Sequence, residues 1–233
     1  MIRGVLLDFY GTLVFEDDAV IAAICDAVRK AVPAGHPRPP ARQIAARWWD
    51  HFREGYATAR GETFIPQREL SRRSLLATIE EIGAVADVDA ALATQLTFWG
   101  APPMFAESPA FLKALRDLGL PVCIVSNIDR QDIEAAMAVH GLEADHVLTS
   151  EDVRAYKPNP ALFLAGLAAL GLGTAEVLHV GDSRSSDVAG ASALGIPVAW
   201  VNRSGKRSDT GPAATYEVDS LDAVLPILRE LAS

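Results

Sequence analysis

The stretch "VLLDFYGTLV", residues 5–14, places an acid at the end of an apolar run. Val5, Leu6 and Leu7 read as a short strand covered on both faces, and Asp8, Tyr10, Gly11 and Thr12 follow at once. In an open parallel sheet, ligands gather outside the carboxyl ends of the strands. Asp8 is therefore placed to meet a ligand, provided that other strands lie beside this one and end in the same way.

Working outward, "GVLLDF" (4–9), "PVCIVS" (121–126), "HVLTS" (146–150), "EVLHVG" (176–181) and "PVAWVN" (197–202) are short, nearly continuous apolar runs. Between and after them, residues 108–119, 129–141, 159–171, 185–195 and 220–232 carry apolar positions at helical spacing, four of them stopping on glycine. This alternation predicts an α/β fold: a doubly wound parallel sheet with right-handed crossovers and helices on both faces. Residues 16–95 break it. They contain amphipathic helical patterns joined by turn-rich pieces such as "PAGHPRPP". An all-helical domain inserted after the first strand is expected there, with the core formed from residues 1–15 and 96–233.

The totals bound the function classes. A chain of 233 residues, half of them apolar, can bury a substantial core. No apolar run reaches the roughly 18 residues of a membrane span, and the start of the chain lacks the layout of a signal peptide. Cys25 and Cys123 read as free, buried thiols of a cytoplasmic protein. The formal charge of −9 argues against nucleic acid or an anionic membrane as partner. A small anionic substrate remains open, because a pocket can be locally positive. A monomer or homodimer is expected.

Four strand or loop ends carry chemistry. Asp8 and Tyr10 follow the first strand, Ser126 and Asn127 the second, and Asp182 follows "LHVG" with Asp187 five residues on; Lys157 lies in "AYKPNP" before a helix. Any one of these could be a helix cap, and Ser126 and Asp129 are placed to cap the helix after them. Together they make a coherent set. Asp8 can act as a nucleophile, and Asp8 and Asp182 suit Mg²⁺, which binds few carboxylates and shares itself with a phosphate. Ser126 and backbone amides can hold oxyanions, and Lys157 can neutralise charge.

With "DFYGTLV", "VSN", "YKPNP" and "GDSRSSD" in this order, the chain resembles the haloacid dehalogenase-like (HAD) hydrolases over nearly its full length. The resemblance implies Asp8 as nucleophile, Ser126 and Lys157 as substrate-orienting groups and a helical cap after the first motif. It places Gly11, Thr12 and Asn127 at the substrate. It also implies Mg²⁺ held by Asp8, the backbone carbonyl of Tyr10, Asp182 and, as ligand or supporting partner, Asp187. Most members hydrolyse phosphate esters; a minority cleave carbon–halogen bonds. Phosphatase members usually have an acid/base aspartate where this chain has Tyr10, whereas 2-haloacid dehalogenases also read Asp-x-Tyr-Gly-Thr. Those dehalogenases lack the first acid of the fourth motif, having Ser and Asn near Asp182 and Arg184, and tend to have tyrosine at the position of Phe163.

An extra Asp182 facing Asp8 is costly without a cation. The expectation is thus a Mg²⁺-dependent phosphohydrolase in which Tyr10 stands in for the acid/base, with a dehalogenase as the alternative and a catalytically weak binding or regulatory protein as a third reading. From the cap, Arg42, Arg47, Trp48, Trp49, Arg53, Tyr56, Arg68, Arg72 and Arg73 are candidates for setting specificity, an arginine clamping a substrate anion.

Overall fold

A computed structural model describes residues 1–205 and 211–232. Six strands form one sheet: β1 (Gly4–Leu7), β2 (Val122–Ser126), β3 (His146–Thr149), β4 (Val177–Gly181), β5 (Val198–Val201) and β6 (Tyr216–Val218). Their order is β3-β2-β1-β4-β5-β6, and every neighbouring pair is parallel. The order reverses beside β1, so the carboxyl ends of β1, β2 and β4 open on one crevice.

The strand residues alternate between two cores. Val5 and Leu7 join Ile124, Val180, Phe111 and Leu228 on one face, while Leu6 joins Cys123, Val125, Phe163 and Val198 on the other. Burial of each such side chain contributes about 1.5–3 kcal/mol. The covering helices are α5 (Ser108–Asp117), α6 (Arg130–His140), α7 (Ser150–Val153), α8 (Pro160–Leu170), α9 (Ala189–Ala193) and α10 (Val224–Ala232). A widened π-helical turn, Arg184–Val188, precedes α9. No helix of the described residues is long and apolar enough to cross a membrane. Cys25 and Cys123 are free and buried, and burial pushes their thiols up to about 11 and about 12.

Four helices make the insertion: α1 (Asp18–Lys30), α2 (Ala41–Thr58), α3 (Gln67–Ile82) and α4 (Val88–Gly100). They enclose a core of their own around Ile24, Val28, Ile44, Trp48, Leu75 and Leu92. The helical run passes the expected end at 95 because α4 continues to Gly100, where Trp99 packs into the main core. The two chain crossings run side by side. Phe15 N–H donates to Pro103 O (2.8 Å), Phe105 N–H donates to Leu13 O (3.1 Å), and the two phenyl rings stack at 4.1 Å. Asp129, expected to cap α6, instead accepts from the backbone N–H groups of Gln67 (2.7 Å) and Arg68 (2.9 Å), so a core residue caps an insertion helix. Arg68 adds a two-pronged ion pair to the buried Asp132.

Candidate active site

Asp8 follows β1 and is anchored by its own N–H, which donates to Val180 O at 2.9 Å. Its carboxylate is held on both oxygens: Lys157 Nζ donates to Oδ1 (2.7 Å) and Thr12 Oγ1 donates to Oδ2 (3.2 Å). Gly11 has φ +80°, and a Cβ there would lie 2.5 Å from the Asp182 carboxyl carbon, so only glycine lets the first and fourth motifs close up. Gly181 gives the same clearance to Asp187, whose carboxyl carbon would meet a Cβ at 2.4 Å.

A buried chain of hydrogen bonds runs through the centre. Lys157 Nζ bridges Asp8 Oδ1 and Asp187 Oδ1, both at 2.7 Å, and His179 Nε2 reaches the same Asp187 oxygen at 2.9 Å. Because a carboxylate only accepts, the His179 proton lies on Nε2; Nδ1 is buried without a partner. Asp187 Oδ2 accepts from Ser183 N–H at 3.0 Å. Asp187 thus holds the lysine, and the lysine holds Asp8.

Burial alone would lower the Lys157 pKa, but Asp187 and Asp8 outweigh it and hold the ammonium charged. Burial would raise Asp187; Lys157 and His179 overcome that and keep it ionised. Burial raises Asp8 against the pull of Lys157. Asp182 is pushed well up, first by burial and then by Asp8 and Asp187. Asp8, Asp182 and Asp187 offer carboxylate oxygens within 4.8 Å of one another. Three acids around one lysine leave an excess of negative charge, and Asp182 takes no side-chain counter-ion from the described residues. That donor set fits a hard divalent cation.

Tyr10 lines the cavity, and its hydroxyl donates to Trp99 O at 2.5 Å while burial pushes its pKa far up. The phenol expected to stand in for the missing aspartate thus has its proton engaged on the backbone of α4. Ser126 is buried at the end of β2 and lines the cavity. Asn127 is also at the cavity, but its side chain is bound internally. It accepts from Lys157 N–H (2.7 Å) and donates to Lys157 O (3.1 Å) and to the Tyr56 hydroxyl. The Tyr56 hydroxyl itself donates to Lys157 O at 2.5 Å, tying α2 to the backbone of Lys157.

These groups line a cavity of about 260 Å³ between the sheet and the insertion. The expected arginine clamp is absent among its lining residues. Arg47 pairs with Glu81, Arg53 with Asp50, Arg68 with Asp132, Arg72 with Asp89 and Arg73 with Glu69, while Arg42 is exposed elsewhere. Trp48, Trp49 and Tyr56 do line it, joined by Phe52 and Trp99. Among the polar groups that sequence reading missed here, three stand out. Glu16 and Asp17, in "FEDDAV", look like ordinary first-turn acids of a helix, yet both face the cavity. Asp17 accepts from Gln95 Nε2 and Trp99 Nε1, each at 2.8 Å. The third is His179, whose signal was a polar residue inside a strand buried at every position.

Comparison with known proteins places this geometry. A family model described as haloacid dehalogenase-like hydrolase matches residues 2–195. The (S)-2-haloacid dehalogenase of Pseudomonas sp. (strain YL) is 31% identical, with 99% of this chain and 96% of the relative covered. The phosphoserine phosphatase of Thermus thermophilus is 32% identical over only 52% of this chain and 50% of its own. Among solved structures, the L-2-haloacid dehalogenase RSc1362 superposes with a TM-score of 0.80 at 25% identity, covering 98% of this chain and 99% of that one.

Proposed function

The chain belongs to the haloacid dehalogenase-like hydrolase family, and from that premise we propose that it hydrolyses the carbon–halogen bond of a 2-haloacid through an aspartyl ester on Asp8. The observation that carries this reading is Tyr10. A halide departs without a proton, and the position where an alkoxide would receive one is filled by a phenol whose hydrogen is held by Trp99 O. The full-length likeness to haloacid dehalogenases supports the same choice, which reverses the preference drawn from the sequence.

The chain's own groups are arranged for the two steps. Lys157 and Thr12 fix both oxygens of Asp8, so the carboxylate is aimed without a search over rotamers. Attack on C2 forms the ester bond and expels the halide with the bonding pair. Water then adds at the Asp8 carboxyl carbon, passing one proton to Asp187, which lines the cavity as a carboxylate. The acyl C–O bond breaks, the remaining water proton goes to the departing C2 oxygen to give the 2-hydroxy acid, Asp8 is left as carboxylate, and Asp187 returns its proton to solvent. Ser126 and the backbone amides beside it receive the substrate carboxylate, with Lys157 as the nearby positive charge.

A second reading, a Mg²⁺-dependent phosphohydrolase, is favoured by one observation: the cluster of Asp8, Asp182 and Asp187. Asp8, Asp182 and Asp187 would hold the ion, which would supply positive charge for a phosphoryl group. The experiment is steady-state release of halide from 2-haloacids and of phosphate from aryl and alkyl phosphates, each with Mg²⁺ and with EDTA. Halide release that survives EDTA, and falls about 10³-fold or more in Asp8→Asn, establishes the dehalogenase. Magnesium-dependent phosphate release without halide release replaces it with the second reading.

A further inference from the structure

The cavity lining has two chemistries of different origin. Asp8, Ser126, Lys157 and Asp182 come from the strand ends and loops of the core, while Ile21, Trp48, Trp49, Phe52 and Trp99 come from the insertion helices α1, α2 and α4. An aromatic ladder climbs one face of α2: Trp49 stacks on Phe52 (5.6 Å), Phe52 leans on Tyr56 (5.7 Å), and Tyr56 stacks on Tyr156 (4.4 Å) beside the catalytic lysine. The spacing of 49, 52 and 56 puts all three rings on one helical face. The ladder is covered at its lower end, whereas Trp49 is 58% exposed and also lines the cavity, so it has ring surface available for a stacking partner.

The cavity offers no second cation. No arginine is among its described lining residues, Lys157 is the cation there, and Asp8, Glu16, Asp17, Asp182 and Asp187 already crowd the lining with acids. We propose that the arm of the substrate beyond the reacting carbon is an uncharged aromatic group that stacks on Trp49 and Phe52, and that substrates with an anionic arm are rejected. This deepens the dehalogenase reading, since it names the class as 2-haloacids with an arylmethyl substituent.

Intrinsic tryptophan fluorescence tests it apart from turnover. The intact protein is titrated with 3-phenyllactate, lactate and malate, which are the hydroxy acids expected from arylmethyl, methyl and carboxymethyl arms. Phenyllactate should bind at least about tenfold more tightly than lactate, the scale of one aromatic stacking contact, and malate most weakly. Trp49→Ala should shrink the phenyllactate-to-lactate ratio about tenfold, whereas Trp49→Phe should keep most of it. In parallel, halide release is followed from 2-bromo-3-phenylpropionate, 2-bromopropionate and bromosuccinate. Phenyllactate that binds no tighter than lactate, or bromosuccinate turned over as well as the phenyl compound, overturns the proposal even in a working dehalogenase. Preferential phenyllactate binding with no halide released from any of them upholds the arm and removes the reaction assigned to it.

Discussion

At the scale of single residues, Tyr10 and His179 carry the argument. Tyr10→Phe keeps the ring and removes the hydrogen bond to Trp99 O, so a loss of about 1 kcal/mol in stability is expected. Turnover should change by no more than a few-fold. A hundredfold fall in kcat confined to substrates with poor leaving groups would restore the phenol as a proton donor. His179→Leu strips Asp187 Oδ1 of one of its two donors and loosens the chain that ends on Asp8. We expect kcat to fall roughly tenfold with KM little changed, because the loss lies in aim rather than in substrate contact. His179→Gln, which supplies an N–H again, should recover most of it; equal loss in both variants would mean a packing role against Phe163. Asp8, Lys157, Asp182 and Asp187 were legible in the sequence, since each sits at a strand or loop end with a motif around it. The direction in which Tyr10 points was not, because it depends on a carbonyl 89 positions away.

At the scale of elements, the strands were readable wherever they are buried on both faces, as β1, β2, β4 and β5 are. β6 escaped because "YEV" is three residues, half-buried, at the sheet edge, and carries no apolar run. Asp129 was misassigned for a related reason: a cap motif names a helix start, and a second start, that of α3, lies across the interface. Asp129→Ala should therefore destabilise the protein by about 1 kcal/mol, the usual loss of an N-cap. It should also loosen the seat of the insertion, read as faster hydrogen exchange at Gln67 and Arg68 with α6 unaffected. Faster exchange at the start of α6 instead would return the cap to its own helix. The cap arginines failed as candidates because acids within or beside their own helices satisfy them, as with Arg73 and Glu69 one turn apart.

At the scale of the whole molecule, Asp8, Glu16, Asp17, Asp182 and Asp187 gather at the cavity between the core and the insertion. Glu16 lines the cavity, and its pKa is raised well above the usual range, first by desolvation and then by Asp182 and Asp17. A carboxyl whose folded pKa is raised costs stability as pH climbs from the unfolded value, about 4.3, through the folded one. Glu16→Gln should therefore raise the melting temperature, and raise it more at pH 8 than at pH 5; an equal gain at both would show that Glu16 is not held protonated. The paired crossings at Leu13–Phe15 and Pro103–Phe105 reach further than this site. Because the chain leaves the sheet and returns to it through adjacent, mutually hydrogen-bonded threads, the helices between are a cassette with neighbouring ends. Exchanging that cassette for a relative's would leave the sheet register and the chain from His179 to Asp8 untouched. Recombination could then reassign which molecules are admitted while inheriting the chemistry whole.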